Sequence, residues 1–313
     1  MNTIEISIVV PVYNSERCVD ALARRVAEAL GTVPFELVMV NDRSTDGSWE
    51  CIVAATERDP RIVGINLRKN SGQDNAIMAG FRHARGAYMV VMDDDLQHDP
   101  ADIVRLWDAC RAAGADVCFA RFTGKRQAWW KNIGSWLNDI VARVVVGKPR
   151  HVYLSPFKII RRDVVEEMVK YDGPFPYVDG LLFTITDNVT QIDAEHHARH
   201  AGRGNYNLIR SITVTAKLAT TFSVMPLRFA SLLGFVTAAA GFLLGIYFVL
   251  EAVYIDKPIQ GWPSTIVIMI FLGGVTLVSI GLVGEYIGRL YIRVNNRPQY
   301  TVKDVVRSRA PEC

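Results

Sequence analysis

The hydrophobic pattern divides the chain into two regimes. Over the first 120 residues, short apolar runs alternate with segments of helical spacing; beyond residue 228, two long uncharged stretches take over. Ile4–Val12, Phe35–Val40, Ile62–Leu67, Ala87–Met92 and Asp116–Ala120 read as strands. Ala87–Met92 is a mostly apolar run, the pattern of a strand buried on both faces. Between the strands, Ser15–Leu30 sets Val19, Leu22, Val26 and Leu30 on one helix face, with Gly31 as the stop. Trp49–Arg58, Gln73–Arg85 and Asp99–Ala113 continue the alternation, the last ending at Gly114. Strands alternating with helices of this length predict βαβ units, hence an α/β domain on a mostly parallel sheet.

Phe229–Leu250 and Pro263–Gly284 are each 22 residues without a charge. At a rise of about 1.5 Å per residue, either crosses a hydrocarbon core of about 30 Å, so a transmembrane hairpin is predicted. Arg210, Lys217 and Arg228 precede the first span, and Arg289, Arg293, Arg297 and Lys303 follow the second. The loop Glu251–Gly261 carries a single Lys and two acids. The positive-inside bias then places both ends of the hairpin, and the N-terminal domain, in the cytoplasm. Met1–Val12 lacks the basic leader of a signal peptide. Cys18, Cys51, Cys110, Cys118 and Cys313 form no CxxC pair, which matches a reducing compartment. A net charge of +3 over 313 residues is too small to point to nucleic acid. Its concentration beside the spans suits an anionic leaflet.

A further membrane contact is expected in Ala128–Val146. Trp129, Trp130, Ile133, Trp136, Leu137, Ile140, Val141 and Val144 share one broad apolar face, with Lys125, Arg126, Lys131 and Arg143 around it. That is the makeup of an interfacial helix, with a core helix as the competing reading. Tyr206–Val224 is a second interfacial candidate. The expected boundaries are a catalytic domain over 1–205 with the interfacial helix at 128–146, a juxtamembrane segment over 206–226, two transmembrane helices over 227–288 and a cytoplasmic tail over 289–313. Gly241 with Gly245, and Gly284 with Gly288, form small-xxx-small patterns that suit helix packing within or between chains.

The candidate chemistry sits at the end of the fourth strand, where Asp93, Asp94 and Asp95 follow one another. Acids at the C-terminal end of such a strand lie where open α/β sheets bind ligands. Adjacent like charges call for a cation, and Mg²⁺ or Mn²⁺, which usually also hold substrate phosphates, are the natural candidates. A solvated acidic turn before the helix near Asp99-Pro100 is the competing reading. No Gly-x-Gly-x-x-Gly follows the first strand and no P-loop pattern occurs, so dinucleotide and P-loop sites are disfavoured. The other strand ends deliver Pro11, Tyr13, Asn14 and Glu16, then Asp42 and Asp46, then Lys69–Gly72, to the same edge. Tyr13 can stack on a base, a carboxylate can accept from a base or ribose, and Lys69 can meet a phosphate. Together they describe a nucleoside-diphosphate site built without a P-loop.

Val10-Pro-Val-Tyr-Asn14, Val40-Asn-Asp-Arg-Ser-Thr-Asp-Gly-Ser48, Asn70-Ser-Gly-Gln73 and Asp93-Asp-Asp-Leu-Gln97 resemble the signature segments of family 2 glycosyltransferases with the GT-A fold. Arg199-His-Ala-Gly-Arg-Gly-Asn-Tyr206, Thr221–Arg228, Gly284–Arg289 and Arg297-Pro298 narrow the resemblance to the polyprenyl-phosphate glycosyltransferases. The resemblance implies a GT-A (Rossmann-like) catalytic domain followed by a C-terminal two-helix transmembrane hairpin. It implies inverting transfer of a sugar from a nucleotide-sugar, a UDP-sugar first, to undecaprenyl phosphate at the cytoplasmic membrane face. The product would serve cell-envelope glycan or lipopolysaccharide modification. By the same resemblance, Asp93, Asp95 and Arg199 are catalytic, and Asp93, Asp95 and Gln97 form the shell of a Mg²⁺ or Mn²⁺ ion. Pro11, Tyr13, Asn14, Glu16, Asp42, Lys69, Gly72 and Asp94 face the nucleotide, and Arg121, Lys131 and Ser135 face the acceptor phosphate. The implied partners are the nucleotide-sugar donor, the polyprenyl phosphate acceptor and the lipid bilayer. A homo-oligomer, with a tetramer as its candidate form, and a downstream flippase join them as candidates.

The chemistry asks for the same groups. A nucleoside diphosphate leaves well only if its developing charge is offset, which a metal and an arginine do electrostatically. A polyprenyl phosphate is already anionic and needs positioning rather than a general base. Two departures from the family and one candidate base stand out. Val152 occupies a position where relatives often carry an acid. Gly204-Asn205-Tyr206 replaces a Ser-Lys-Tyr segment, with Arg203 as the substitute cation, and Asp179 in Tyr177-Val-Asp-Gly180 is a candidate base known from other branches. His196, His197 and His200 read as polar residues near a strand end. Two other classes remain open. A processive polysaccharide synthase would carry a Gln-x-x-Arg-Trp segment and more spans. A non-catalytic membrane subunit would not need the acids or Arg199.

Overall fold

The computed structural model describes residues 4–122, 152–173, 176–194, 225–254, 262–295 and 298–308. The chain forms two compact units, Met1–Ser211 with Asn296–Cys313, and Ile212–Asn295. In the first unit β1 (Ile6–Val12), α1 (Glu16–Leu30), β2 (Phe35–Asn41), α2 (Ser48–Arg58), β3 (Ile62–Leu67), α3 (Gln73–His83), β4 (Tyr88–Val91), α4 (Ala101–Ala112) and β5 (Val117–Phe122) follow the expected alternation. Next come β6 (Lys158–Arg161), α5 (Arg162–Met168), α6 (Val178–Ile185) and β7 (Val189–Ala194). The second unit holds α7 (Met225–Tyr254) and α8 (Trp262–Val294), after which β8 (Val302–Arg307) returns to the first.

One eight-stranded sheet runs in the order β7-β5-β6-β4-β1-β2-β3-β8. Every residue of β1, β2 and β3 is buried, the mostly apolar positions together with the polar Ser7, Glu36, Asn41 and Asn66. Four of the seven strand pairings are parallel, so the mostly parallel α/β sheet stands. The helix stripe read from the sequence is the buried face of α1: Val19, Leu22, Val26 and Leu30, joined by Cys18. Gly31 and Gly114 stop their helices at φ 51° and 57°, in the left-handed region that favours glycine. α3 lies so close to the sheet that a Cβ on Gly80 would come within 2.3 Å of Val9.

Two strands enter antiparallel, against the expectation from simple alternation. β6 inserts between β4 and β5, pairing Val91 with Lys158 and Phe119 with Lys158. At four residues it is too short to carry a legible period. β8 covers the β3 edge, and it lies in the stretch 289–313 expected to be a cytoplasmic tail. Its side chains alternate between half-buried and exposed, the weak pattern of an edge strand. Just before it, Gln299 donates from Nε2 to the carbonyls of Tyr171 and Gly173, at 2.7 Å each. The four described cysteines, Cys18, Cys51, Cys110 and Cys118, are free thiols.

In the second unit α7 and α8 run 30 and 33 residues, where two spans were expected. Their apolar side chains face outward: Phe235 and Leu277 are each 72% exposed. Among the described residues one stretch, Phe271–Gly288, is long and apolar enough to cross a membrane, and α7 holds a shorter apolar stretch, Ala230–Leu244. The expected interfacial segments 128–146 and 206–224 lie outside the described residues, as do Lys131, Ser135, Arg199 and Arg203.

Candidate active site

The C-terminal ends of β1, β2, β3 and β4 meet at one edge, and a cleft of about 480 Å³ opens there. Pro11, Val12, Tyr13, Asp42, Asn70, Gly72, Gln73, Asp93, Asp94 and Asp95 line it. The sheet order explains the gathering: β4 and β2 flank β1, and β3 follows β2, so four consecutive strand ends open on one cleft. Of the expected nucleotide residues, Pro11, Tyr13, Asp42, Gly72 and Asp94 are brought together here, with both expected carboxylates of the metal pair.

Asp42 is buried at the end of β2 and shapes the wall opposite the acids. Its Oδ1 accepts from Ser71 N–H at 2.7 Å and its Oδ2 from Gly72 N–H at 2.8 Å. Gly72 sits at φ 92°, a left-handed conformation that lets its N–H turn toward the carboxylate. Asn70 donates from Nδ2 to the Asp42 carbonyl at 3.2 Å, closing the loop. Each Asp42 oxygen keeps a lone pair for a ligand donor. Tyr13, half exposed, stands at the other rim, with its N–H on Asp94 Oδ2 at 3.2 Å.

Other expected residues stand apart from the cleft lining. Asn14, at φ 53°, accepts the Thr45 N–H on its Oδ1 at 2.8 Å. Glu16 at the start of α1 accepts the Gly47 N–H at 3.0 Å. Both brace the loop after β2. Lys69 is exposed, and Gln97 donates its N–H to Asp95 Oδ1 at 3.1 Å. Arg121, expected at the acceptor phosphate, lies exposed on β5 and makes a two-pronged pair with Asp193 at 2.6 and 3.0 Å.

The acids carry a marked electrostatic signature. Burial first, then the charges of Asp95 and Asp94, push the Asp93 carboxyl up to about 6. Burial also raises Asp94. A carboxylate held up by like charges gains from a divalent ion. Among the described residues no group of three or more His, Cys, Asp or Glu side chains is gathered to hold a metal. The donor set nonetheless fits Mg²⁺ or Mn²⁺, since ions of this class are held by one or two carboxylates, with waters and substrate phosphates completing the shell. No Lys or Arg occurs among the described lining residues.

The structure adds residues that sequence reasoning did not place at the site. Gln73, the last residue of the Asn70–Gln73 segment, donates from Nε2 to Asp93 Oδ1 at 2.8 Å and lines the cleft. Its neighbour Asp74 accepts the Val178 N–H at 3.2 Å, and burial raises it to about 6. Lys158, buried on β6, forms an ion pair with Asp179 at the start of α6. That pair gives the largely buried Asp179 carboxylate a buried cationic partner. Only the Asn70–Gln73 motif gave a local signal; Lys158 on β6 meets Asp179 on α6 through contacts distant in sequence.

A model of the family described as "Glycosyl transferase family 2" matches residues 7–169, and one described as "GtrB C-terminal hairpin" matches residues 225–290. The SfII prophage-derived bactoprenol glucosyl transferase of Shigella flexneri is 32% identical over 306 residues, covering 96% of this chain and 97% of that protein. The undecaprenyl-phosphate 4-deoxy-4-formamido-L-arabinose transferase of Yersinia enterocolitica is 33% identical over 313 residues, covering 98% and 95%. Among solved structures, glucosyl-3-phosphoglycerate synthase from Mycobacterium tuberculosis, in complex with uridine diphosphate, superposes with a TM-score of 0.52 at 16% identity, covering 70% of this chain and 79% of that one. That likeness bears on the fold.

Proposed function

This chain belongs to glycosyl transferase family 2, and from that premise we propose that it transfers a sugar from a nucleoside-diphosphate sugar to a polyprenyl phosphate. The observation that carries the proposal is the near full-length likeness to two transferases of this kind, hairpin included. In the proposed complex Tyr13 stacks on the base, and the Asp42-braced loop Asn70–Gly72 forms the opposite wall. Asp93 and Asp95 hold a divalent cation with the diphosphate, and Gln73 fixes the Asp93 carboxylate. The cation, when bound, offsets the charge that develops on the leaving group. Arg199 is proposed to close over the same diphosphate, and Arg121, Lys131 and Ser135 to steer the acceptor phosphate. An ionised phosphate attacks in line without a base, so inversion in one displacement follows.

A UDP-sugar and undecaprenyl phosphate are the proposed substrates. The outward apolar surfaces of α7 and α8 support a membrane-embedded hairpin. Arg228 before it and Arg289 and Arg293 at its far end favour both termini on the cytoplasmic side. The test is direct. Full-length protein in detergent, Mn²⁺, undecaprenyl phosphate and a panel of labelled nucleotide-sugars should move label into an organic-extractable, phosphate-linked sugar lipid with one UDP-sugar. Label that enters only an aqueous polymer, or never leaves the donor with any polyprenyl phosphate, would overturn the proposal.

A further inference from the structure

We propose that His98 is a positioning residue for the acidic turn: clamped between Phe122 and Phe157, its ring presents Nδ1 as the acceptor that fixes the Asp93 backbone. The inference rests on the reading of Asp93 and Asp95 as the metal-holding pair.

His98 is 3% exposed, and its ring stacks on Phe122 at 5.3 Å and on Phe157 at 5.0 Å, within 5° and 8° of parallel. Phe122 ends β5 and Phe157 immediately precedes β6. The ring is therefore wedged between the ends of two strands, beneath the turn that leaves a third. Asp93 N–H donates to His98 Nδ1 at 3.3 Å. A backbone amide can only donate, so Nδ1 carries no hydrogen.

This bond closes the turn across its own length, and the turn needs closing. Leu96, between Asp95 and Gln97, sits at φ 60° and is 4% exposed. A buried leucine in the left-handed region persists only where its surroundings over-determine it. Here the Gln97 N–H on Asp95 Oδ1 sets one side of the bend, and His98 on the Asp93 amide sets the other. Gln73 then holds the Asp93 carboxylate itself. Asp93 and Asp95 are presented together before any ligand arrives, the arrangement that outer-shell partners give to metal-binding groups.

A ring that merely filled space between two phenylalanines would do none of this, and two substitutions separate the roles. His98→Phe keeps a flat ring in the stack and removes the acceptor. His98→Asn keeps an acceptor near Nδ1 and removes the stack. Both variants and the wild type, full-length in detergent, are compared by thermal melting and by calorimetric titration of Mn²⁺ with UDP. His98→Phe is expected to melt near the wild type yet bind Mn²⁺ roughly 10–100-fold more weakly, the usual cost of losing an outer-shell partner. His98→Asn is expected to melt lower yet keep near wild-type Mn²⁺ affinity below its transition. Wild-type Mn²⁺ affinity in His98→Phe would overturn the role. So would an equal loss in His98→Asn, which decides alone if His98→Phe does not fold. If the wild type itself takes up no Mn²⁺ with UDP, the metal reading falls, and the positioning role with it.

Discussion

Asp95→Asn is expected to slow sugar transfer by about 10³-fold or more while the protein melts at or slightly above the wild-type temperature. The substitution keeps an oxygen for the Gln97 N–H and changes the volume little, so the turn is retained. It deletes one charge of the proposed metal pair. Stabilising the charge on a departing diphosphate is worth several kcal/mol, and about 4 kcal/mol corresponds to roughly 10³ in rate. Asp95 is also a like-charge neighbour that helps raise Asp93, so its neutralisation relieves repulsion in the ligand-free protein. The opposite movement of rate and stability marks a site that spends stability on function. Single-turnover transfer with labelled donor, beside a thermal melt, checks both. A rate within tenfold of wild type would remove Asp95 from the metal site.

Lys158→Met is expected to destabilise the first unit by about 3–5 kcal/mol, the usual cost of breaking a buried pair from one side. The Lys158 side chain is 3% exposed and that of Asp179 17%, so the abandoned carboxylate stays largely out of water. Lys158 also offsets the raised carboxyls of Asp74 and Asp93. For a unit of about 200 residues the loss corresponds to a melting temperature lower by roughly 6–20 °C. Combining it with Asp179→Leu should restore a large part of that, because an apolar pair leaves no orphan charge. A single variant that melts within 2 °C of wild type would mean that Lys158 is not the neutralising centre beneath the site.

Much of the first unit was legible because its physics is local. β1 to β3 are mostly apolar on both faces, α1 shows a single stripe, and Gly31 and Gly114 stand where left-handed stops are required. The position of Asp93 to Asp95 followed from the strand before them. What escaped depends on contacts distant in sequence. β6 and β8 are short, and β8 as an edge strand has little to bury. Lys158 reads as an ordinary surface lysine until antiparallel pairing sets it beside Val91, two residues from Asp93. His98 shows nothing in sequence of the Phe122 and Phe157 rings on either side of it. Asn14 and Glu16 make loop contacts that no local pattern announces. They have polar groups suited to a nucleotide, and the structure gives those groups to the Thr45 and Gly47 backbone.

The proposed divalent cation on Asp93 and Asp95 would join the donor's diphosphate to this sheet edge. Calorimetric titration of a UDP-sugar into the full-length protein, with Mn²⁺ and with Mn²⁺ chelated, tests it most directly. At pH 7.5, above the value of about 6 for Asp93, the carboxylate is ionised and the metal should tighten donor uptake at least tenfold. At pH 5 Asp93 is mostly protonated, protons compete with the cation, and the tightening should shrink toward nothing. Donor binding that is equally tight with and without metal at pH 7.5 would contradict the account.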